Sequence, residues 1–137
     1  YRGWEATSAG NPSAHAILRG YTNKHGNSRP NYHYEDLIFL HECYEKSGLE
    51  HPAAIIDANH ANSGKDPLQQ GRIIKEVLQS RAYSRDVHSL VKGFMVESYI
   101  EDGSQKIGCG IYGKSITDPC IGWADTEQLV LDIAELI

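Results

Sequence analysis

Ala53-Ala54-Ile55-Ile56-Asp57 is a run of four apolar residues stopped by a carboxylate. It is short and apolar at successive rather than alternate positions, which predicts a strand covered on both faces, the state of a parallel strand beneath helices. Two runs of the same kind flank it. Ala14-His15-Ala16-Ile17-Leu18, closed by Arg19-Gly20, lies before it; Phe94-Met95-Val96, preceded by Val91 and closed by Glu97-Ser98, lies after it. From Ala16 through Ala54 to Lys92 the interval is 38 residues each time. This is a regular unit without a repeat of sequence.

Amphipathic stretches fill the intervals. A polar loop from Tyr21 to Asn31 is followed by Leu37, Leu40 and Tyr44 at helical spacing, with Gly48 where a helix end favours a left-handed residue. Asp66-Pro67 predicts a helix start, and Ile73, Ile74, Val77 and Leu78 supply its apolar face. After an excursion from Glu101 to Gly113, Asp125 and Gln128 predict a capping box before a buried stripe of Leu129, Val130, Ile133, Ala134 and Ile137. The expected class is therefore α/β, strand–helix three times over, with parallel strands and outer helices. A (β/α)₈ barrel spends roughly 31 residues per unit, so three enlarged units fill the chain without closing a barrel. An open doubly wound sheet is the competing reading, and it needs more strands than can be found.

The 137 residues suit a single segment, 1–137, with one core. A net charge of −5, with basic residues separated by acids, argues against a nucleic-acid partner. No apolar run approaches the roughly 20 residues of a membrane span. Tyr1-Arg2-Gly3-Trp4-Glu5 carries neither a leader pattern nor an initiating methionine, so the expectation is a cut piece of a longer protein. An odd set of cysteines, Cys43, Cys109 and Cys120, fits reduced thiols in a cytoplasm, with Cys43 expected as a small buried hydrophobe.

In α/β proteins the working residues stand at the carboxyl ends of parallel strands. Those positions are Arg19, Asp57 to His60, and Glu97. Strands lie about 4.8 Å apart, so such side chains can converge on one rim. Guanidinium suits phosphate or carboxylate, and a histidine with two carboxylates can hold a divalent cation. Each has a plainer alternative: a surface ion pair for Arg19, a helix-capping or lysine-paired role for Glu97, a turn before Pro119 for Asp118. No Cys-x-x-Cys, His-Glu-x-x-His or Gly-x-Ser-x-Gly motif is present.

Four words occur in order: His15-Ala16-Ile17-Leu18-Arg19-Gly20; Asp57-Ala58-Asn59-His60-Ala61-Asn62-Ser63-Gly64-Lys65; Met95-Val96-Glu97-Ser98; and Gly113-Lys114-Ser115-Ile116-Thr117-Asp118-Pro119-Cys120-Ile121-Gly122-Trp123. Together they resemble the C-terminal part of the microbial type I 3-deoxy-D-arabino-heptulosonate 7-phosphate (DAHP) synthases, the aromatic-amino-acid-regulated entry enzymes of the shikimate pathway. The resemblance implies the last three β/α units of a TIM barrel, and condensation of phosphoenolpyruvate with erythrose 4-phosphate with release of phosphate. It implies a divalent metal (manganese, iron, cobalt or zinc) and no organic cofactor. The metal ligands that match are His60, Glu97 and Asp118, and Arg19 falls on the phosphoenolpyruvate-binding arginine. Arg19, His60 and Lys114 are the candidate catalytic residues and Lys65 a candidate substrate-binding residue, with a structural ion pair as the alternative for either lysine. Asp57 is expected to orient His60. A homo-oligomer is expected.

The sequence departs from the family pattern at Tyr21, where many members have a second glycine, and in a long Thr22–Arg29 loop. The family's metal-binding cysteine and its Lys-Pro-Arg-Thr word belong to N-terminal units, and none of Cys43, Cys109 or Cys120 matches that thiol. The isolated chain is therefore expected to have little activity. A non-catalytic folding or assembly unit, self-associating through exposed barrel strands, is the rival reading.

Overall fold

The computed structural model describes residues 3–137. Strand β1 (Ala16–Leu18) is followed by a short hairpin, β2 (Tyr21–Thr22) and β3 (Ser28–Arg29), and then by helix α1 (Tyr34–Ser47). Strand β4 (Ala54–Asp57) leads to the single turn of α2 (His60–Ser63), a 3₁₀ turn (Pro67–Gln69) and helix α3 (Gln70–Tyr83). Helix α4 (Arg85–Leu90) runs directly into β5 (Val91–Met95). A small parallel pair, β6 (Glu101–Ser104) and β7 (Lys114–Ser115), precedes helix α5 (Trp123–Ala134).

Strands β1, β4 and β5 form one parallel sheet in that order, with β4 in the middle. The 38-residue interval is its register: Ala16 pairs with Ala54, Ile17 with Ile55, Ile55 with Gly93 and Ile56 with Phe94. A shift between Ala54 and Ile55 sets Ala54 against Val91 instead. Because side chains alternate across a strand, Leu18, Ile56 and Phe94 form a row on one face. That row packs into the core with Leu37 of α1 and Ile73, Ile74, Val77 and Leu78 of α3. Full burial of each such aliphatic chain contributes about 1.5–3 kcal/mol, so this face holds the sheet to its helices. The opposite face carries Ile17, Ile55, Gly93 and Met95; there Ile17 is 47% and Met95 43% exposed.

Local chemistry sets the helix ends. Gly48 closes α1 at φ 64, and the Tyr44 hydroxyl accepts from Ala16 N at 3.1 Å while donating to Ala53 O at 2.9 Å, joining the entrances of β1 and β4. Asp66 accepts from Leu68 N at 3.1 Å and Pro67 opens the turn, but the α-helix itself begins at Gln70. The third strand starts at Val91 and stops at Met95, leaving Val96 beyond it. Cys43 is half-buried rather than buried.

The last helix differs most from expectation. It is capped by Gly122, not by Asp125 with Gln128, and Thr126 Oγ1 donates to Gly122 O at 2.8 Å. Only Leu129 and part of Ile133 are covered, because α5 lies against α3 at the margin of the sheet; Leu129 Cδ1 approaches Gly71. Val130, Ala134 and Ile137 are exposed. No helix among the described residues is long and apolar enough to cross a membrane.

Candidate metal centre

The carboxyl end of β4 builds the centre of the site. Asp57 is 2% exposed. Its Oδ1 accepts from Asn59 N at 2.9 Å, and its Oδ2 from His60 Nδ1 at 2.7 Å. An ionised carboxylate only accepts, so the proton of this bond sits on Nδ1 and the lone pair of a neutral ring sits on Nε2. His60 itself takes a left-handed conformation at φ 46, turning its ring back over Asp57. The buried Asn62 joins neighbouring strand ends: its Nδ2 donates to Leu18 O at 2.9 Å and to Asp57 O at 2.8 Å, and its Oδ1 accepts from Asn31 N at 2.9 Å.

At the end of β1, Gly20 turns at φ 69. A Cβ there would stand 2.7 Å from Arg29 O, 2.8 Å from the Ala61 carbonyl carbon and 2.8 Å from Asn62 N, so only glycine lets the hairpin lie on α2. The left-handed turn falls on Gly20, and Tyr21 sits in strand β2 with no positive φ. Arg19 keeps a half-exposed side chain with Nε 3.9 Å from Asp57 Oδ2.

Glu97 follows β5 by two residues, and Asp118 lies in the turn after β7. His60 Nε2 stands 3.2 Å from Glu97 Oε1 and 3.7 Å from Asp118 Oδ2. One ligand atom from each of His60, Glu97 and Asp118 lies within 4.8 Å of the others, and this is the only such group of three among the described residues. Lys65, held at φ 67, places Nζ 2.9 Å from Asp118 Oδ1. That hydrogen bond holds the Asp118 carboxyl below its ordinary range; desolvation opposes the shift, and the charges of Lys65, His60 and Arg19 add to it.

Lys114 belongs to β7 and lines a cleft of about 580 Å³ with Glu97, Ser98, Ser115, Thr117 and Cys120. Cys120 is buried, donates weakly to Asp118 O at 3.6 Å, and has its thiol pushed up first by that burial. A larger apolar cavity of about 680 Å³, lined by Ala16, Leu40, Cys43 and Tyr44 among others, opens at the other end of the sheet and touches none of these residues.

The donor set fits a divalent cation. His60 Nε2 and one carboxylate oxygen each from Glu97 and Asp118 converge from three separate segments within 4.8 Å of one another. Nitrogen and carboxylate donors suit several first-row metals. Gln70, which sequence reading passed over, is fully buried beneath Glu97 and hydrogen-bonds its main chain.

The sequence model described as the DAHP synthetase I family matches residues 3–131. A Trp-sensitive phospho-2-dehydro-3-deoxyheptonate aldolase of Enterobacter agglomerans is 37% identical over 134 residues, which is 95% of this chain and 35% of the relative. A Phe-sensitive enzyme of the same name from Escherichia coli K12 is also 37% identical over 134 residues. The solved structure of phospho-2-dehydro-3-deoxyheptonate aldolase from Francisella tularensis SCHU S4 superposes with a TM-score of 0.79 at 30% identity, over 93% of this chain and 35% of that one. The chain spans about a third of the length of these relatives.

Proposed function

The chain belongs to the DAHP synthetase I family, and from that premise we propose that it forms the metal-binding C-terminal third of a DAHP synthase, its parallel strands closing a (β/α)₈ barrel. The reaction is the condensation of phosphoenolpyruvate with erythrose 4-phosphate, giving 3-deoxy-D-arabino-heptulosonate 7-phosphate and phosphate. The convergence of His60 Nε2, Glu97 and Asp118 carries this reading.

His60, Glu97 and Asp118 would hold the cation, which when bound supplies Lewis acidity toward the aldehyde oxygen. Asp57 keeps the proton on Nδ1 of His60, so the ring presents its lone pair to the centre and cannot swivel. Arg19, tied only loosely to Asp57, offers its guanidinium to phosphoenolpyruvate. Lys65 offsets the negative charge of Asp118 and stands where an anionic substrate approaches. Lys114 lines the same cleft as Glu97 and contributes a second cation there. Holding two highly charged substrates in this way makes a bimolecular encounter a positioned one. A cytoplasmic, homo-oligomeric enzyme is part of this reading. The chain by itself is expected to bind metal weakly and turn over little.

Titrating the chain with Mn²⁺ while following the free ion by electron paramagnetic resonance tests the site. Saturable binding that Glu97→Ala and His60→Ala both remove is the expected result; binding untouched by either substitution would remove the triad from the ligand set. A second reading, a non-catalytic assembly unit, is favoured by the exposure of Ile17 and Met95 on the uncovered face of the sheet.

A further inference from the structure

We propose that Gln70 is the positioning residue of this site: its side-chain amide fixes the main chain of Glu97 so that the carboxylate stays within reach of His60 and Asp118. The proposal rests on reading the triad as a cation site.

Gln70 is the first residue of α3 and is fully buried. Its Oε1 accepts from Glu97 N at 2.8 Å, and its Nε2 donates to Glu97 O at 3.0 Å. A primary amide offers acceptor and donor side by side, so it pairs with a residue's N–H and C=O as an adjoining strand would. Glu97 needs such a partner. Strand β5 ends at Met95, whose carbonyl accepts from Ala58 N at 2.9 Å, and among the described residues the Glu97 N–H is received by Gln70 rather than by a neighbouring strand. The Glu97 carbonyl also accepts from Ile121 N at 3.1 Å, in the segment that follows Asp118. The main chain of one proposed ligand is thereby clamped between α3 and the stretch carrying another. A glutamate at position 70 would keep the acceptor and lose the donor; a methionine of similar volume would lose both and leave a buried N–H without a partner.

The test compares Gln70→Met with Val77→Ala, which opens a cavity on the same helix and lowers stability without touching Glu97. Mn²⁺ affinity, read by electron paramagnetic resonance, is expected to fall about 10–100-fold in Gln70→Met and to stay at the wild-type value in Val77→Ala. Wild-type affinity in Gln70→Met, or an equal loss in Val77→Ala, would overturn the proposal. A second readout needs no metal. Nuclear Overhauser contacts between the Glu97 methylenes and the His60 ring should be present in the wild-type chain and lost in Gln70→Met; their persistence would also overturn it. A wild-type chain that binds no Mn²⁺ would defeat the cation reading alone, and the ring contacts would still decide the role of Gln70. Should Gln70→Met not fold, Gln70→Glu carries the same comparison, with a smaller loss expected.

Discussion

At Gly20 two constraints act on one atom. The backbone is left-handed, at φ 69, and the space a Cβ would take is filled by main-chain atoms of Arg29, Ala61 and Asn62 at 2.7–2.8 Å. Side-chain ends can move aside; these cannot. Gly20→Ala is therefore expected to cost about 3 kcal/mol, from left-handed strain together with overpacking. Urea unfolding of the two proteins checks this, and a midpoint unchanged from wild type would mean that the hairpin can lift from α2 at no cost. Gly26, also left-handed at φ 80, has nothing within 4 Å of its Cβ position, so Gly26→Ala should cost clearly less. Arg19, His60 and Glu97 could be picked out in the sequence because chemically capable side chains stand at the ends of apolar runs, whereas Asp118 came only through the family resemblance. Asn62 and Gln70 could not be picked out. A single amide that reaches main chain 27 or 44 residues away leaves no periodic trace.

Among the elements, the strands were the most legible, because the 38-residue interval between apolar runs is the register of the sheet itself. The last helix was the least. Its cap is made by Gly122 through a main-chain carbonyl, and its cover depends on which neighbour it meets, neither of which hydrophobic spacing encodes. What ties α5 to α3 is partly ionic: Lys75 Nζ lies 2.6 Å from Asp132 Oδ2, and Gln128 Nε2 donates to Asp132 Oδ1 at 2.7 Å. The hydrogen bond from Lys75, then that from Gln128, holds the Asp132 carboxyl below its ordinary value. A carboxylate depressed in the folded state adds stability above its unfolded pKa and loses it as pH falls through the folded one. Asp132→Asn should thus melt below wild type at neutral pH, with a gap that is steady above about pH 5 and closes as pH drops below about 4. A gap independent of pH would show that Asp132 acts through packing or its uncharged hydrogen bonds.

At the scale of the molecule, the two faces of the central sheet differ in kind. One row, Leu18, Ile56 and Phe94, is covered by helices; the other, Ile17, Ile55, Gly93 and Met95, is not. Sequence reading could count the three strands of this sheet, though not the β2–β3 and β6–β7 pairs, and continuous apolar runs mark both faces as apolar without saying which lacks a cover. Strands β1 and β5 are both edges, with unpaired main-chain groups beside that bare face. The relatives are about three times as long; for the purified 137-residue segment, a second copy offers an apolar surface of the same kind. Sedimentation of the purified chain should accordingly show a mass that rises with concentration. Ile17→Lys combined with Met95→Lys places two charges on the exposed row without disturbing the buried one, and should shift the chain toward monomer while its unfolding stays cooperative. A wild-type chain that remains monomeric at every concentration would mean that the bare face is tolerated in water. The rival reading, an assembly unit held together through that face, would then fail, and the His60, Glu97 and Asp118 centre on α2 and the loops after β5 and β7 would be left standing by itself.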